Sequence, residues 1–122
     1  MGTEIAVLVV DEDADILELT ETFLERESDR IAVRTEQHAP SAVDRASEVD
    51  CIVSDLRMPE MDGIELCSAV RDADPEMPFF LFTAAELQDV PDGCNPTGVV
   101  QKGTGTDHYT ELVERIVDAV AQ

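Results

Sequence analysis

Apolar residues along this chain fall into two kinds of run that take turns. Ile5 to Val10 is valine-rich and unbroken, and it stops abruptly at Asp11, Glu12 and Asp13. Cys51 to Val53 is equally unbroken and ends at Asp55, while Phe79 to Phe82 and Val99–Val100 repeat the form ahead of Thr83 and Lys102. An apolar run without polar alternation fits a strand buried on both faces of a parallel sheet. Ile31 to Arg34 adds a short strand. Between these runs the period changes. Ile16, Leu19 and Phe23, with Leu17 and Leu24 alongside and Glu18, Glu21 and Glu25 between, predict an amphipathic helix of roughly 14 residues. Ala39, Ala42, Val43 and Ala46 fit a second helix with Pro40 in its first turn. Ile64, Cys67, Val70 and Ala73 fit a third, entered through Pro59, the N-cap candidate Asp62 and Gly63, and closed by Asp74 and Pro75. Tyr109, Leu112, Val113, Ile116, Val117 and Val120 line the last helix. Ala84 to Val90 has room for two helical turns before Pro91, Asp92, Gly93 and Pro96 break the pattern. The alternation is that of five βα units, an α/β chain whose parallel sheet is covered on both faces and joined by right-handed crossovers.

The 122 residues suffice for one domain, 1–122, with a core that needs no metal or disulfide. Lys and Arg number 8 against 28 Asp and Glu, a formal charge of -20. Such a balance excludes a nucleic-acid surface, which needs clustered cations, and an anionic membrane would repel it. It suits a solvated acidic surface in strong salt, or a docking face for a basic partner. Cys51, Cys67 and Cys94 are odd in number, and the first two sit inside apolar patterns. All three are expected to be small core residues without a disulfide, in a reducing cytoplasm. There is no signal-peptide pattern at the start and no stretch near the roughly 20 apolar residues of a membrane span, so the chain is expected to be soluble.

In an open α/β sheet, ligands gather at the carboxyl ends of the strands. The groups there are Asp11, Glu12 and Asp13 after the first strand, Asp55 after the third, Thr83 after the fourth and Lys102 after the fifth. Clustered carboxylates repel one another, and a hard cation such as Mg²⁺ relieves this while keeping waters and leaving sites for phosphate oxygens. A carboxylate nucleophile, a metal, a lysine and a hydroxyl together serve phosphoryl transfer, which is mostly positioning and charge neutralisation.

Val-Val-Asp-Glu-Asp (9–13), Asp-Leu-Arg-Met-Pro-Glu-Met-Asp-Gly (55–63), Phe-Thr-Ala (82–84) and Gln-Lys-Gly (101–103) occur in that order. With that spacing, the chain resembles a response-regulator receiver domain of two-component signalling, the family of the chemotaxis protein CheY. The likeness extends over essentially all of the chain. It implies a flavodoxin-like (βα)5 three-layer sandwich with sheet order 2-1-3-4-5. It implies that Asp55 accepts a phosphoryl group from a histidine kinase, that Asp11, Glu12, Asp55 and the backbone carbonyl of Arg57 hold Mg²⁺, and that Thr83 and Lys102 engage the phosphoryl group. By the same likeness the chain is a cytoplasmic switch more than an enzyme, read by a downstream protein or by a kinase domain in the same chain. The acidic surface and the Gln-Lys-Gly-Thr-Gly-Thr ending also resemble receivers of salt-loving archaea.

The pattern departs from the family in three places. Val99 stands where an aromatic switch residue is common, Gly103 follows the lysine where proline is common, and the interval from Thr83 to Lys102 is compressed. Other readings fit less well. A calcium loop starting at Asp11 would need Gly at Ile16 and Glu at Thr22. The sequence Gly103-Thr-Gly-Thr lacks the lysine order of a phosphate loop and reads as a turn and helix cap. His38 and His108 have no ligand-spaced partners and are expected on the surface. A haloacid-dehalogenase-like phosphatase would use Asp11 as nucleophile and Asp13 as acid–base group, but it leaves the 58–63 loop unexplained. A receiver that binds a partner without accepting phosphate would have no use for an intact Asp55, Thr83 and Lys102.

Overall fold

The computed structural model describes residues 4–84, 93–103 and 107–120. Five strands, β1 (Ile5–Val10), β2 (Ile31–Glu36), β3 (Cys51–Ser54), β4 (Phe79–Thr83) and β5 (Gly98–Gln101), form one parallel sheet in the order β2-β1-β3-β4-β5. The helices are α1 (Ala14–Glu27), α2 (Ala39–Arg45) with a 3-10 turn at Ala46–Glu48, α3 (Gly63–Ala73) and α4 (Asp107–Val120). The expected helical turns at Ala84 to Val90 lie, apart from Ala84, outside the described residues.

Alternation along the strands separates two cores. Val7, Val9, Cys51, Val53, Phe80, Phe82 and Val100 face one way and pack with Leu17 and Leu24 of α1 and Leu112, Val113 and Ile116 of α4. Leu8, Val10, Ile52, Phe79 and Leu81 face the other way and pack with Ala39 and Ala42 of α2 and Leu66, Cys67 and Val70 of α3. Burial on both faces explains why these strands carry no polar alternation. It also gives the three-layer architecture that the sequence pattern implied.

β2 is an edge strand, two residues longer than expected, and two of its outer backbone groups are taken by side chains. The Val33 N–H donates to Glu25 Oε2 at 2.9 Å, and Arg45 donates to the Thr35 carbonyl at 2.9 Å. Covering an edge in this way keeps a foreign strand from pairing with it.

The cysteine expectation is overturned. Cys67 and Cys94 are joined by a disulfide, with an S–S distance of 2.11 Å and Cα atoms 6.1 Å apart, and Cys51 alone is a buried free thiol. Burial of Cys67 on an apolar helix face does not exclude pairing. Its partner lies 27 residues away, so no local spacing pairs the two. The inference of a reducing compartment from unpaired cysteines falls with that reading.

Candidate functional site

Three residues at the carboxyl edge of the sheet sit one step beyond their strands yet remain in its hydrogen-bond ladder. The Asp11 N–H donates to the Glu36 carbonyl (3.1 Å), that of Asp55 to the Val10 carbonyl (3.0 Å) and that of Lys102 to the Thr83 carbonyl (2.7 Å). Their backbones are therefore as fixed as the sheet, and their side chains converge. Lys102 Nζ is 3.4 Å from Asp11 Oδ2 and 3.8 Å from Asp55 Oδ2. Thr83 is buried at the end of β4, in register with Gln101 just before the lysine.

Local chemistry holds each loop in place. After β1, Asp11 Oδ1 accepts from the Asp13 N–H at 2.9 Å, and Asp13 caps α1 by accepting from Asp15 and Ile16. Cap donors at the helix start are satisfied in this way, which fixes where α1 begins relative to the acids. After β3, Asp62 and Glu65 form a reciprocal capping box at the start of α3, with bonds of 2.8 and 3.0 Å. Gly63 follows because nothing larger fits. A Cβ there would lie 2.5 Å from the Asp55 carbonyl oxygen and 2.7 Å from Leu81 Cδ2.

The electrostatics of Asp55 combine opposing causes. Burial raises its pKa above the ordinary carboxylate value, Lys102 lowers it, Asp11 raises it, and backbone N–H donors of Leu56 and Arg57 lower it. A half-buried carboxylate facing a second carboxylate across one ammonium is a place where further positive charge is welcome. Asp11 is buried, whereas Glu12 is exposed. Among the described residues no group of three or more His, Cys, Asp or Glu side chains is already gathered as a metal cage. The lysine ammonium stands between the two carboxylates instead.

Some neighbours of the site carry no signal in the sequence. His108, expected on the surface, is half-buried: its ring lies 4.2 Å from Tyr109 and 5.4 Å from Phe82, and its Nδ1 accepts from the Gly103 N–H at 3.3 Å. Burial, then Lys102, pushes its pKa below the usual histidine value. Phe82 also lies under Lys102, with Nζ 5.4 Å from the ring centroid. Gln37 Nε2 donates to the Glu12 carbonyl at 3.1 Å, which ties the turn after β2 to the first acidic loop. His38 is exposed as expected, and its Nε2 bonds to Glu60 Oε2 at 2.8 Å. The contacts of Phe82 with His108 and Lys102, of Gln37 with Glu12 and of His38 with Glu60 join segments remote in sequence, so no local spacing announces them. The Gly103-Thr-Gly-Thr turn lies largely outside the described residues.

Comparison with known proteins gives one answer. The family described as response regulator receiver domain matches residues 7–112. The transcriptional regulatory protein GlrR of Escherichia coli is 31% identical over 118 residues, which cover 95% of this chain and 26% of that protein. The heme response regulator HssR of Staphylococcus epidermidis is 34% identical over 109 residues, covering 89% of this chain and 48% of that protein. The chain thus spans between a quarter and half of these relatives. Among solved structures, the chemotaxis response regulator CheY4 of Vibrio cholerae superposes with a TM-score of 0.80 at 24% identity, covering 93% of this chain and 99% of that one. The response regulator TrrA of Thermotoga maritima, solved with Mg²⁺ and a beryllium fluoride group, superposes with a TM-score of 0.78 at 23% identity, covering 92% and 98%. At these identities the structures establish the shared fold.

Proposed function

Because the chain belongs to the response regulator receiver domain family, the phosphoacceptor module of two-component signalling, we propose that Asp55 is its acceptor and that residues 1–122 form one receiver. The carrying observation is the pair of distances from Lys102 Nζ to Asp11 and Asp55, 3.4 and 3.8 Å, at the carboxyl edge of the sheet. An Asp55 oxygen attacks the phosphorus of a phosphohistidine on the donor kinase. The P–N bond breaks, an acyl phosphate forms, and the departing imidazole takes up a proton. Lys102 leaves Asp11 for a phosphoryl oxygen, and the Thr83 hydroxyl donates to another. Water later attacks phosphorus, the O–P bond to Asp55 breaks, and inorganic phosphate leaves with the carboxylate restored. The chain promotes its own transfer and hydrolysis, which makes it a switch rather than a turnover enzyme.

Asp11, Glu12 and Asp55, with the Arg57 carbonyl, are an all-oxygen donor set that fits Mg²⁺. When bound, the ion supplies positive charge against which carboxylate and phosphoryl oxygens approach each other. The proposed setting is the cytoplasm, with a histidine kinase as donor and a downstream protein, or a kinase domain in the same polypeptide, as reader. The charge of -20 supports neither a nucleic-acid nor an anionic-membrane contact for this domain, and suits a halophilic acidic surface. No helix among the described residues is long and apolar enough to cross a membrane.

Incubation with Mg²⁺ and acetyl phosphate, followed by intact-mass measurement and peptide mapping, tests the assignment. One phosphoryl group on Asp55, lost in Asp55→Asn, is expected. Labelling that persists in that variant, or that maps to Asp11, overturns it, and the latter result favours the phosphatase alternative.

A further inference from the structure

Residues 93–97 are laid along three successive turns of α3. At the first, Gly93, with φ of +157°, approaches Ile64 so closely that a Cβ would lie 2.7 Å from its Cγ2. At the second, Cys94 is bonded to Cys67. At the third, Arg71 donates to the carbonyl of Asn95, to Thr97 Oγ1 at 3.1 Å and to the Met77 carbonyl at 3.4 Å. Thr97 then enters the sheet, its N–H donating to the Phe79 carbonyl at 2.8 Å while its Oγ1 accepts from the Phe79 N–H at 3.1 Å.

We propose that Cys67 and Cys94 are a thiol–disulfide modification site, a redox input separate from the acidic pocket, that sets how firmly the segment before β5 is held to α3. The two sulfurs differ in access: Cys67 is fully buried and Cys94 is partly exposed. A thiolate from a protein dithiol attacks Cys94 Sγ, and the Cys67 sulfur leaves and takes up a proton. The second thiol of the dithiol then attacks its own mixed disulfide and releases Cys94. Two electrons and two protons pass to the pair, and the dithiol is oxidised to a disulfide.

The third cysteine stays out of the exchange. Cys51 belongs to the core against α1 and α4, whereas Cys67 and Cys94 belong to the core on the other face of the sheet, and burial raises the Cys51 thiol pKa, which keeps it protonated. Scrambling is blocked by the sheet itself. In the reduced chain Arg71, through Asn95 and Thr97, still holds the lower end of the segment, so β5 keeps its register while Gly93 and Cys94 loosen. That segment belongs to the connection that starts after Thr83 and ends at Lys102.

The test uses the whole chain prepared without reductant. Alkylation under denaturing conditions should mark one cysteine, Cys51; after treatment of the folded chain with dithiothreitol or a reduced protein dithiol it should mark three, and an oxidised dithiol should restore one. Amide exchange read by mass spectrometry should rise about tenfold or more at residues 93–94 in the reduced chain, with β3 unchanged. Cys94→Ser should show the fast pattern with or without reductant. Three free thiols in the unreduced chain, a folded pair that no dithiol reduces, or the same exchange pattern in both states would each overturn the proposal. None of these readouts depends on phosphorylation, so they stand apart from the fate of the Asp55 assignment.

Discussion

The turn that leaves β3 and the segment that enters β5 both lean on α3, and they are held by opposite means. Between Leu56 and Glu65 the backbone ties are local, Leu56 N–H to Asp55 Oδ1 at 2.8 Å, Gly63 N–H to the Leu56 carbonyl at 2.8 Å and the Asp62–Glu65 box, and the one distant side-chain bond there among the described residues is His38 to Glu60 at 2.8 Å. Between Gly93 and Thr97 the ties are distant, a disulfide spanning 27 residues and Arg71 contacts spanning 24 and 26. Local ties close small loops and cost little chain entropy, and they hold the turn beside Asp55, the proposed acceptor. Distant ties close large loops, and a covalent bond repays that cost in a way that redox chemistry can reverse. Local closure thus sits beside Asp55, where the proposed function needs a phosphoryl group positioned.

If that contrast is right, Gly63→Ala is the most damaging single change. Its methyl group must displace the Asp55 carbonyl or Leu81, which costs about 1–3 kcal/mol as overpacking. A shift of about 1 Å at the acceptor can slow transfer up to roughly 100-fold. Chemical denaturation and the rate of labelling by acetyl phosphate measure both effects, and a variant with wild-type rate and stability removes the argument for a close-packed acceptor. Arg71→Ala should act on the other region. Leaving the Asn95, Thr97 and Met77 acceptors short of a charged donor costs about 1–3 kcal/mol, while labelling of Asp55 stays near wild type. A large loss of labelling would mean that the two regions are not mechanically separate.

Asp62→Ala removes the side-chain half of the capping box and should cost about 1 kcal/mol, with a smaller fall in labelling rate than Gly63→Ala because the turn keeps its shape. Equal falls would show that the cap, rather than the close approach, positions Asp55. The smallest effect expected is electrostatic. Burial raises the Asp55 pKa above its ordinary 3.8, so the stability this group contributes is present below that value and lost as pH rises through the folded-state pKa. Without Mg²⁺, Asp55→Asn should therefore be more stable than wild type at neutral pH, and the gap should close on acidification toward the ordinary value. Melting curves at several pH values decide this, and a gap that widens toward acid contradicts the burial of Asp55.

Most of the sheet edge that carries Asp55, the proposed acceptor, was legible in the chain because its determinants are neighbours. The unbroken runs Ile5–Val10, Cys51–Val53 and Phe79–Phe82 require a sheet covered on both faces, and that alternation alone places Asp11, Asp55 and Thr83 at one edge of it. Asp62 is legible as an N-cap and Gly63 follows a turn signal, while Glu65, three positions on, completes a capping box in the structure. The family resemblance rested on the same local strings. The sequence could not disclose which distant groups meet. Cys67 on an apolar helix face looks the same whether its sulfur packs or bonds, and the choice falls to the position of Cys94, 27 residues on. No local pattern announces that Arg71 meets Asn95 and Thr97, 24 and 26 residues on. His108 reads as surface until Phe82 and Tyr109 close around its ring. Periodicity and capping are properties of a few consecutive residues and survive in any context, so the sequence determined the elements and the edge that carries the acids. Pairing across long loops depends on how those elements pack, so only the tertiary structure decided the disulfide, the Arg71 contacts and the surroundings of Lys102.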